Sequence, residues 1–193
     1  MTYLRREAYR RLQRIFGFAP WHVDPYDYRP YAKWMVEKLS RMLEDGRCGD
    51  GEIVEIGCGL GDIISNIRSA KRKTGYDLDP HVIRAARLVH PKTKFHFGTF
   101  TQVRGRKIAI AIACNFMHDI PSEQVQEYLT DFLTDNDVAL FVVDRVPAPP
   151  YDYSHDYDDM LAPLQYHRIY TSRGFDAMGA RRHVWLYAKG DCR

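Results

Sequence analysis

Cysteine is scarce. Cys48, Cys58, Cys114 and Cys192 are the four in 193 residues, and no two of them form a CxxC pair. That excludes a paired-cysteine redox motif and a thiolate metal knuckle, and with no signal peptide in front it predicts a reduced, cytoplasmic home. Long apolar runs are missing too. The longest, residues 108–114, falls far short of the ~20 residues that span a bilayer. Neither sign of charge dominates: 28 Lys and Arg face 25 Asp and Glu, for a net charge of +3. A dedicated nucleic-acid binder would show a strongly basic face, so the balance argues against one. Metal-ligand patterns are absent as well. The acids Asp156, Asp158 and Asp159 do not follow a calcium-loop spacing, and no histidines pair at ligand spacing, so no metal is expected. What remains is ordinary for a globular chain, 45% apolar and 27% charged, and the length suits one domain with one core.

The chain opens with a helical pattern over residues 1–18. Leu4, Ala8, Leu12 and Ile15 recur at helical spacing and are expected on the packed face, while Arg5, Arg6, Arg10, Arg11 and Arg14 lie off that stripe. Those arginines read as the solvated face of a lid helix; anionic lipid and nucleic acid are the competing contacts. An aromatic link, APWHVDPYDYRP, precedes a second helix over residues 31–45 with Trp34, Leu39, Met42 and Leu43 as buried candidates. After the break DGRCGDG the pattern alternates: strand EIVEIG, helix 62–71, strand KTGYDLD, helix PHVIRAARLVH, strand TKFHFGTF, strand KIAIAIACNF, helix PSEQVQEYLTDFL and strand DVALFVVDRV. Strands alternating with helices of about ten residues predict an α/β fold: a doubly wound, mostly parallel, Rossmann-like sheet with helices on both faces and an N-terminal helical lid. In the tail, PLQYHRIYTSRGF fits either a helix or a strand, and RRHVWLYAKG predicts a last strand at or near the sheet edge. Residues 1–193 then form a single domain, with a lid over 1–46, a ligand-binding core over 51–146 and a substrate loop with closing strands over 147–193.

The stretch VEIGCGLGD carries the chemistry. Glycines at the end of an apolar strand let a ligand lie against bare backbone. A dinucleotide fingerprint reads G-x-G-x-x-G and rests a pyrophosphate on a helix N-terminus. Here the spacing is G-x-G-x-G, and Glu55 precedes it. A carboxylate aimed into that crevice repels a pyrophosphate and favours a cation such as an ammonium or a sulfonium. A carboxylate further on, Asp77 in GYDLDP, offers two acceptor oxygens, which suits a diol.

EIGCGLG resembles the first motif of the class I S-adenosylmethionine-dependent methyltransferases, and Asp77 about twenty residues on resembles that family's ribose-binding acid. The likeness covers residues 53–146 and implies S-adenosylmethionine as cofactor. It implies that Glu55 meets the ammonium of the methionine moiety, that Gly57, Cys58, Gly59 and Gly61 line its path, that Leu78 lies against the adenine, and that Asn115 contacts the methionine portion. Many members end the third strand in an acid near the adenine amino group. Here that place reads Gly98, Thr99, Phe100, so Thr99, a backbone group or another residue is expected to take the position.

Methyl transfer to a hydroxyl needs a group that removes a proton. His118, just past the fourth strand, is of a type that is neutral and basic near pH 7, and Asp119 stands beside it. Asp144, ending the fifth strand, is the second catalytic candidate, its alternative a plain pair with Arg145. His22 and His155 read as surface histidines. Pro-Tyr-Asp-Tyr occurs at 25–28 and again at 150–153; tyrosines with aspartates suit a sugar, the alternative being chance composition. The expected activity is therefore O-methylation of a small polar acceptor such as a sugar or glycan precursor. A nicotinamide-dependent dehydrogenase is opposed by Glu55 and by the lack of any tyrosine with lysine four residues on. An exocyclic-amine nucleic-acid methyltransferase is opposed by NFMH, which lacks the two prolines of the Asn/Asp-Pro-Pro-aromatic motif. A non-catalytic S-adenosylmethionine-binding module is the remaining alternative.

Overall fold

A computed structural model of the chain describes residues 2–190; Met1 and residues 191–193, Cys192 among them, lie outside the described residues. The first helix, α1 (Thr2–Phe16), closes at Gly17, whose N–H donates to the Gln13 carbonyl (2.8 Å) from a left-handed conformation. The link that follows makes two short 3-10 turns, Pro20–Val23 and Tyr26–Tyr28, and leads into α2 (Pro30–Glu44). The alternating segment then gives β1 (Glu52–Ile56), α3 (Asp62–Asn66), β2 (Lys73–Asp77), α4 (Pro80–Val89), β3 (Lys94–Phe97), β4 (Lys107–Ala113), α5 (Ser122–Asp135) and β5 (Asp137–Arg145). The tail adds α6 (Tyr157–Leu161), β6 (Tyr166–Thr171), β7 (Phe175–Ala177) and β8 (Ala180–Lys189).

The strands form one eight-stranded sheet in the order β3-β2-β1-β4-β5-β8-β6, with β7 paired to β8. β1 to β5 run parallel, and β8 runs antiparallel to both β5 and β6. The sequence explains the centre: residues 108–113 of β4 are all buried, as a continuous apolar run between two helical layers must be. One layer packs Met35 and Leu39 of α2 with Ile63 and Ile64 of α3 against the sheet. The other packs Val125, Leu129 and Phe132 of α5 with Tyr157 and Leu161 of α6. The doubly wound, mostly parallel sheet is the one expected. β6 resolves as a strand, and β8 lies one place in from the edge that β6 forms. Among the described residues no helix is long and apolar enough to cross a membrane.

Two expectations are corrected. Helix α3 stops at Asn66 rather than near 71, because Ile67 turns extended (ψ 122°) and the Lys73 ammonium donates to the carbonyls of Ser65 (3.2 Å) and Ile67 (2.5 Å). A side-chain cation thus satisfies the carbonyls that a longer helix would have used. Helix α1 presents a different face. Leu4 is 73% and Ile15 74% exposed, while Tyr9 is buried and packs with Leu12, Phe16 and Phe18 against Val82 and Ala85 of α4. Polar contacts made far along the chain turn the helix this way. The Tyr9 hydroxyl donates to Asp62 Oδ1 (2.7 Å), and Arg5 and Arg6 pair with Asp27 (3.6 Å) and Asp24 (2.6 Å) of the link. Aliphatic spacing alone does not register them.

Candidate functional site

β1, β2, β3 and β4 are parallel neighbours, so their carboxyl ends open on one edge of the sheet, where ligands of such sheets bind. A cavity of about 490 Å³ lies there. Glu55 and Gly57 line it from the end of β1, Asp77, Leu78 and Asp79 from β2, and Gly98 and Thr99 from the end of β3. Cys114, Asn115, Phe116 and Asp119 close it from β4. The opposing wall comes from the N-terminal side: Trp21, His22 and Arg29 of the link and Tyr31 of α2. The link, rather than α1 itself, is what walls the cavity; α1 lies against α4. The volume falls within the range of small-molecule sites.

The loop after β1 needs its glycines for packing. Gly57 has φ +68°, and a Cβ there would stand 2.5 Å from the Phe116 ring; at Gly61, φ +70°, it would stand 2.2 Å from the Phe95 ring. Both backbone conformations strain any other residue. Glu55 and Asp77 thereby share one cavity. Asp77 is held by backbone: its Oδ2 accepts from the Gly59 N–H (2.8 Å) and its Oδ1 from the Asp79 N–H (2.9 Å). Asp79 itself caps α4, accepting from His81 and Val82, as Asp before Pro80 suggests. Glu55 is 3% exposed, and its Oε2 accepts from the Ile64 N–H (3.1 Å). Burial pushes its carboxyl from 4.5 up to about 8, with the Ile64 N–H and the Arg29 charge pulling the other way.

Leu78, 63% exposed, and Trp21, 71% exposed, offer apolar surface at the cavity. Thr99 lines it beside Gly98, its N–H donating to Gln102 Oε1 (2.6 Å). Asn115 adopts a left-handed conformation (φ 70°), donates its N–H to Asp144 Oδ1 (2.7 Å), and accepts at Oδ1 from Arg182 (2.5 Å). Cys58, Gly59 and Gly61 lie in the loop beside the cavity rather than among the residues that line it. Cys58 turns its sulfur toward Gly75 under β2, where burial raises its thiol well above the usual value, and Gly61 faces Phe95. Gly59 acts one step back, through the N–H that holds Asp77.

The catalytic candidates fare differently. Asp144 is removed from the cavity wall. It is buried and paired not with Arg145 but with Arg182 of β8 (2.7 Å), so its charge is already committed. Arg145 lies over the Trp185 ring instead. His118 stands just behind the wall, its ring edge-on to Tyr151 (4.4 Å between centroids) and its Nε2 3.6 Å from Asp119, which does line the cavity. Burial lowers the His118 pKa below the usual imidazole value, opposed by Asp144 and Asp119.

Neither His22 nor His155 is an exposed histidine. His155 is buried between the Ser122 hydroxyl (3.0 Å) and the Met117 carbonyl (2.8 Å) and pins the 150s loop. His22 lines the cavity, its pKa lowered by burial against the pull of Asp77 and Asp79. The tyrosines of the two Pro-Tyr-Asp-Tyr stretches do not line the cavity. Tyr26 gives its N–H to Asp62, and Tyr151 accepts from Arg182 at its hydroxyl (3.2 Å). Among the described residues no three His, Cys, Asp or Glu side chains converge as metal ligands.

Two residues escape the sequence reading although a signal for each is present. Arg29 sits immediately before the first turn of α2, where the helix dipole disfavours a cation. Arg182 sits on the inward face of β8 with Val184 and Leu186, where a charge requires a partner.

Neither a family model nor a curated protein matches the sequence. Solved structures do match the fold. Magnesium protoporphyrin IX methyltransferase (ChlM) from Synechocystis PCC 6803 with bound SAM aligns over 97% of this chain and 94% of that one, with TM-score 0.71 and 14% identity. The same enzyme with bound SAH gives TM-score 0.70 at 13% identity, over 97% of each chain. An S-adenosylmethionine-dependent methyltransferase from Clostridium acetobutylicum ATCC 824 covers 83% of this chain and 92% of its own, with TM-score 0.64 and 13% identity. The chain has the fold of the class I S-adenosylmethionine-dependent methyltransferases.

Proposed function

We propose that the protein is an S-adenosylmethionine-dependent methyltransferase that O-methylates a small polar acceptor, such as a sugar or glycan precursor. The observation that carries the reading is the shared cavity of Glu55 and Asp77, two carboxylates on adjacent parallel strands that face one ligand-sized space. When bound, S-adenosylmethionine supplies a methyl group on a cationic sulfur. The residues present fit that molecule. Glu55 is a buried acid for the ammonium, Asp77 keeps free lone pairs for a diol, and Leu78 and Trp21 offer apolar faces for a flat base. Thr99 and the Gly98 backbone stand at the strand end beside that base, and Gly57 and Asn115 border the methionine portion. The likeness to structures that hold SAM and SAH supports the same site. For the acceptor, Phe116 supplies a ring and Asp119 a carboxylate on the β4 side of the cavity.

Ligand-induced stabilisation tests the reading. S-adenosylmethionine and S-adenosylhomocysteine are expected to raise the melting temperature, while NAD and NADP leave it unchanged; the reverse order rejects it.

His118 is the base in this proposal. Of the two candidates it is the one outside the buried Asp144–Arg182 ion pair, and burial lowers its pKa, which favours the neutral imidazole that a base requires. Replacing it with asparagine is expected to lower turnover about 100-fold. The acid limb of the wild-type pH–rate profile, placed below the ordinary imidazole pKa, should vanish in the variant. An unchanged limb in His118→Asn assigns the proton to another group.

A further inference from the structure

A second cavity, of about 540 Å³, lies at the opposite edge of the sheet, where β2 and β3 begin. Lys71, Arg72 and Lys73 line it from the turn between α3 and β2, and Lys92 from the turn between α4 and β3. No acid lines it, and none of the four cations makes an ion pair among the described residues. Asp62, the acid beside its His90 wall, is buried and already holds the Tyr9 hydroxyl, the Tyr26 N–H and the His90 ring.

Part of this charge has a local use. The Lys73 ammonium answers the carbonyls beyond α3, and Lys71 donates to the Gly49 carbonyl (2.9 Å). Helices α3 and α4 both end beside the cavity, and a helix end carries at most about half a negative charge. Two such ends offset about one of the four cations, which leaves a large positive surplus in a recess. Lys73 shows the strain of it: burial alone lowers its pKa, with no acid opposing the shift. Hydroxyl donors stand among the cations. Ser69 Oγ accepts from the Lys71 N–H (3.0 Å), and the Ser65 hydroxyl donates to Oγ1 of the buried Thr93 (3.0 Å). The O–H groups of Ser69 and Thr93 are therefore left as donors on the wall.

We infer that this recess binds a phosphate group carried by a small molecule. A phosphoryl group brings nearly two negative charges and three acceptor oxygens. That matches cations from two turns with hydroxyl donors between them, whereas a carboxylate brings one charge and two oxygens in a plane. A membrane or a nucleic-acid strand calls for a broad basic face, and this chain confines its surplus to a concavity of small-molecule size at a net charge of +3. The length of β2 and β3 separates the site from the donor cavity, so it stands independently of the proposed donor.

The test is calorimetry of the full chain with pyrophosphate and with sulfate. Wild type is expected to bind pyrophosphate at least about tenfold tighter than sulfate, because two phosphoryl groups reach both turns. Arg72 and Lys92 are exposed, and their side chains make no hydrogen bond within the protein among the described residues, so Arg72→Ala/Lys92→Ala should fold as the wild type does. A melting temperature no lower than the wild type's checks this. The double variant should bind pyrophosphate about 100-fold more weakly, about tenfold per lost charge. Thr93→Val, which keeps every charge, should weaken it about fivefold. Lys33→Ala/Arg173→Ala removes the same charge from exposed positions outside the recess and should change nothing. Equal weakening in the two double variants reveals a diffuse field and overturns the inference, as does a wild type that takes up no pyrophosphate at millimolar concentration. Affinity for phosphatidylglycerol vesicles or single-stranded DNA that depends on Arg72 and Lys92 and exceeds that for pyrophosphate assigns the charges to a polyanion and overturns it as well.

Discussion

Replacing Glu55 with glutamine is expected to weaken S-adenosylhomocysteine binding about 100-fold near pH 8 and to abolish the pH dependence of that binding between pH 6 and 8. The wild-type carboxyl is pushed up to about 8 by burial, so most free protein carries it protonated at pH 7. An ammonium group prefers the carboxylate, so binding expels the proton. Wild-type affinity should therefore rise with pH, close to tenfold per unit, and level off above about 8. Calorimetry in two buffers of unlike ionisation enthalpy should count nearly one proton released at pH 7, and none in Glu55→Gln. Stability has the opposite sign. The folded state holds a proton that the unfolded chain gives up near 4.5, so wild-type stability falls as pH rises from about 4.5 through 8. The variant lacks that decline and should be the more stable of the two at pH 9. Wild-type affinity that is flat from pH 6 to 8 would show that Glu55 enters the complex already ionised, or not at all.

Much of this site is written locally. Asp77 belongs to a strand whose end is marked by Asp79-Pro80, and Asp79 caps the next helix as that pairing suggests. The apolar run of β4 and the glycines after β1 fix the sheet centre and the loop beside it. These features depend on residues within one turn or strand, so periodicity and turn chemistry expose them. Features that depend on distant partners are not exposed. The face that α1 buries follows from Asp62, 53 positions beyond Tyr9. His155 is buried because Met117, 38 positions earlier, offers it a carbonyl. Cys58 sits next to cavity residues in sequence, yet its side chain turns to the other side of the strand end, toward Gly75. Asp144 reads as a strand-end acid, free or paired with Arg145, until β8 is folded beside β5 in antiparallel register, which sets Asp144 opposite Val184 and brings Arg182 within reach.

That last pair gives the largest expected loss of stability. Replacing Arg182 with alanine should cost about 3–5 kcal/mol, because it leaves the Asp144 charge buried and alone. The two side chains are only 4% and 2% exposed, so water and salt screen little of the interaction. Arg182 does more than neutralise Asp144. It donates to Asn115 (2.5 Å) and to the Tyr151 hydroxyl (3.2 Å), and its guanidinium lies over the Tyr31 ring (4.5 Å to the centroid). Asn115 and Tyr31 both line the cavity, so the residue stands between the β-sheet floor and opposite walls of the site. Urea denaturation of Arg182→Ala, Asp144→Asn and the double variant measures the coupling. The double variant should be markedly more stable than the sum of the single losses predicts, because removing both partners leaves no orphaned charge. Donor affinity reports on the second role. If Arg182 only neutralises Asp144, the double variant recovers binding along with stability. If it also sets Asn115 and Tyr31, binding stays weak after stability returns. The three contacts beyond the ion pair favour the second outcome, and additive single losses in the cycle would dissolve the network itself.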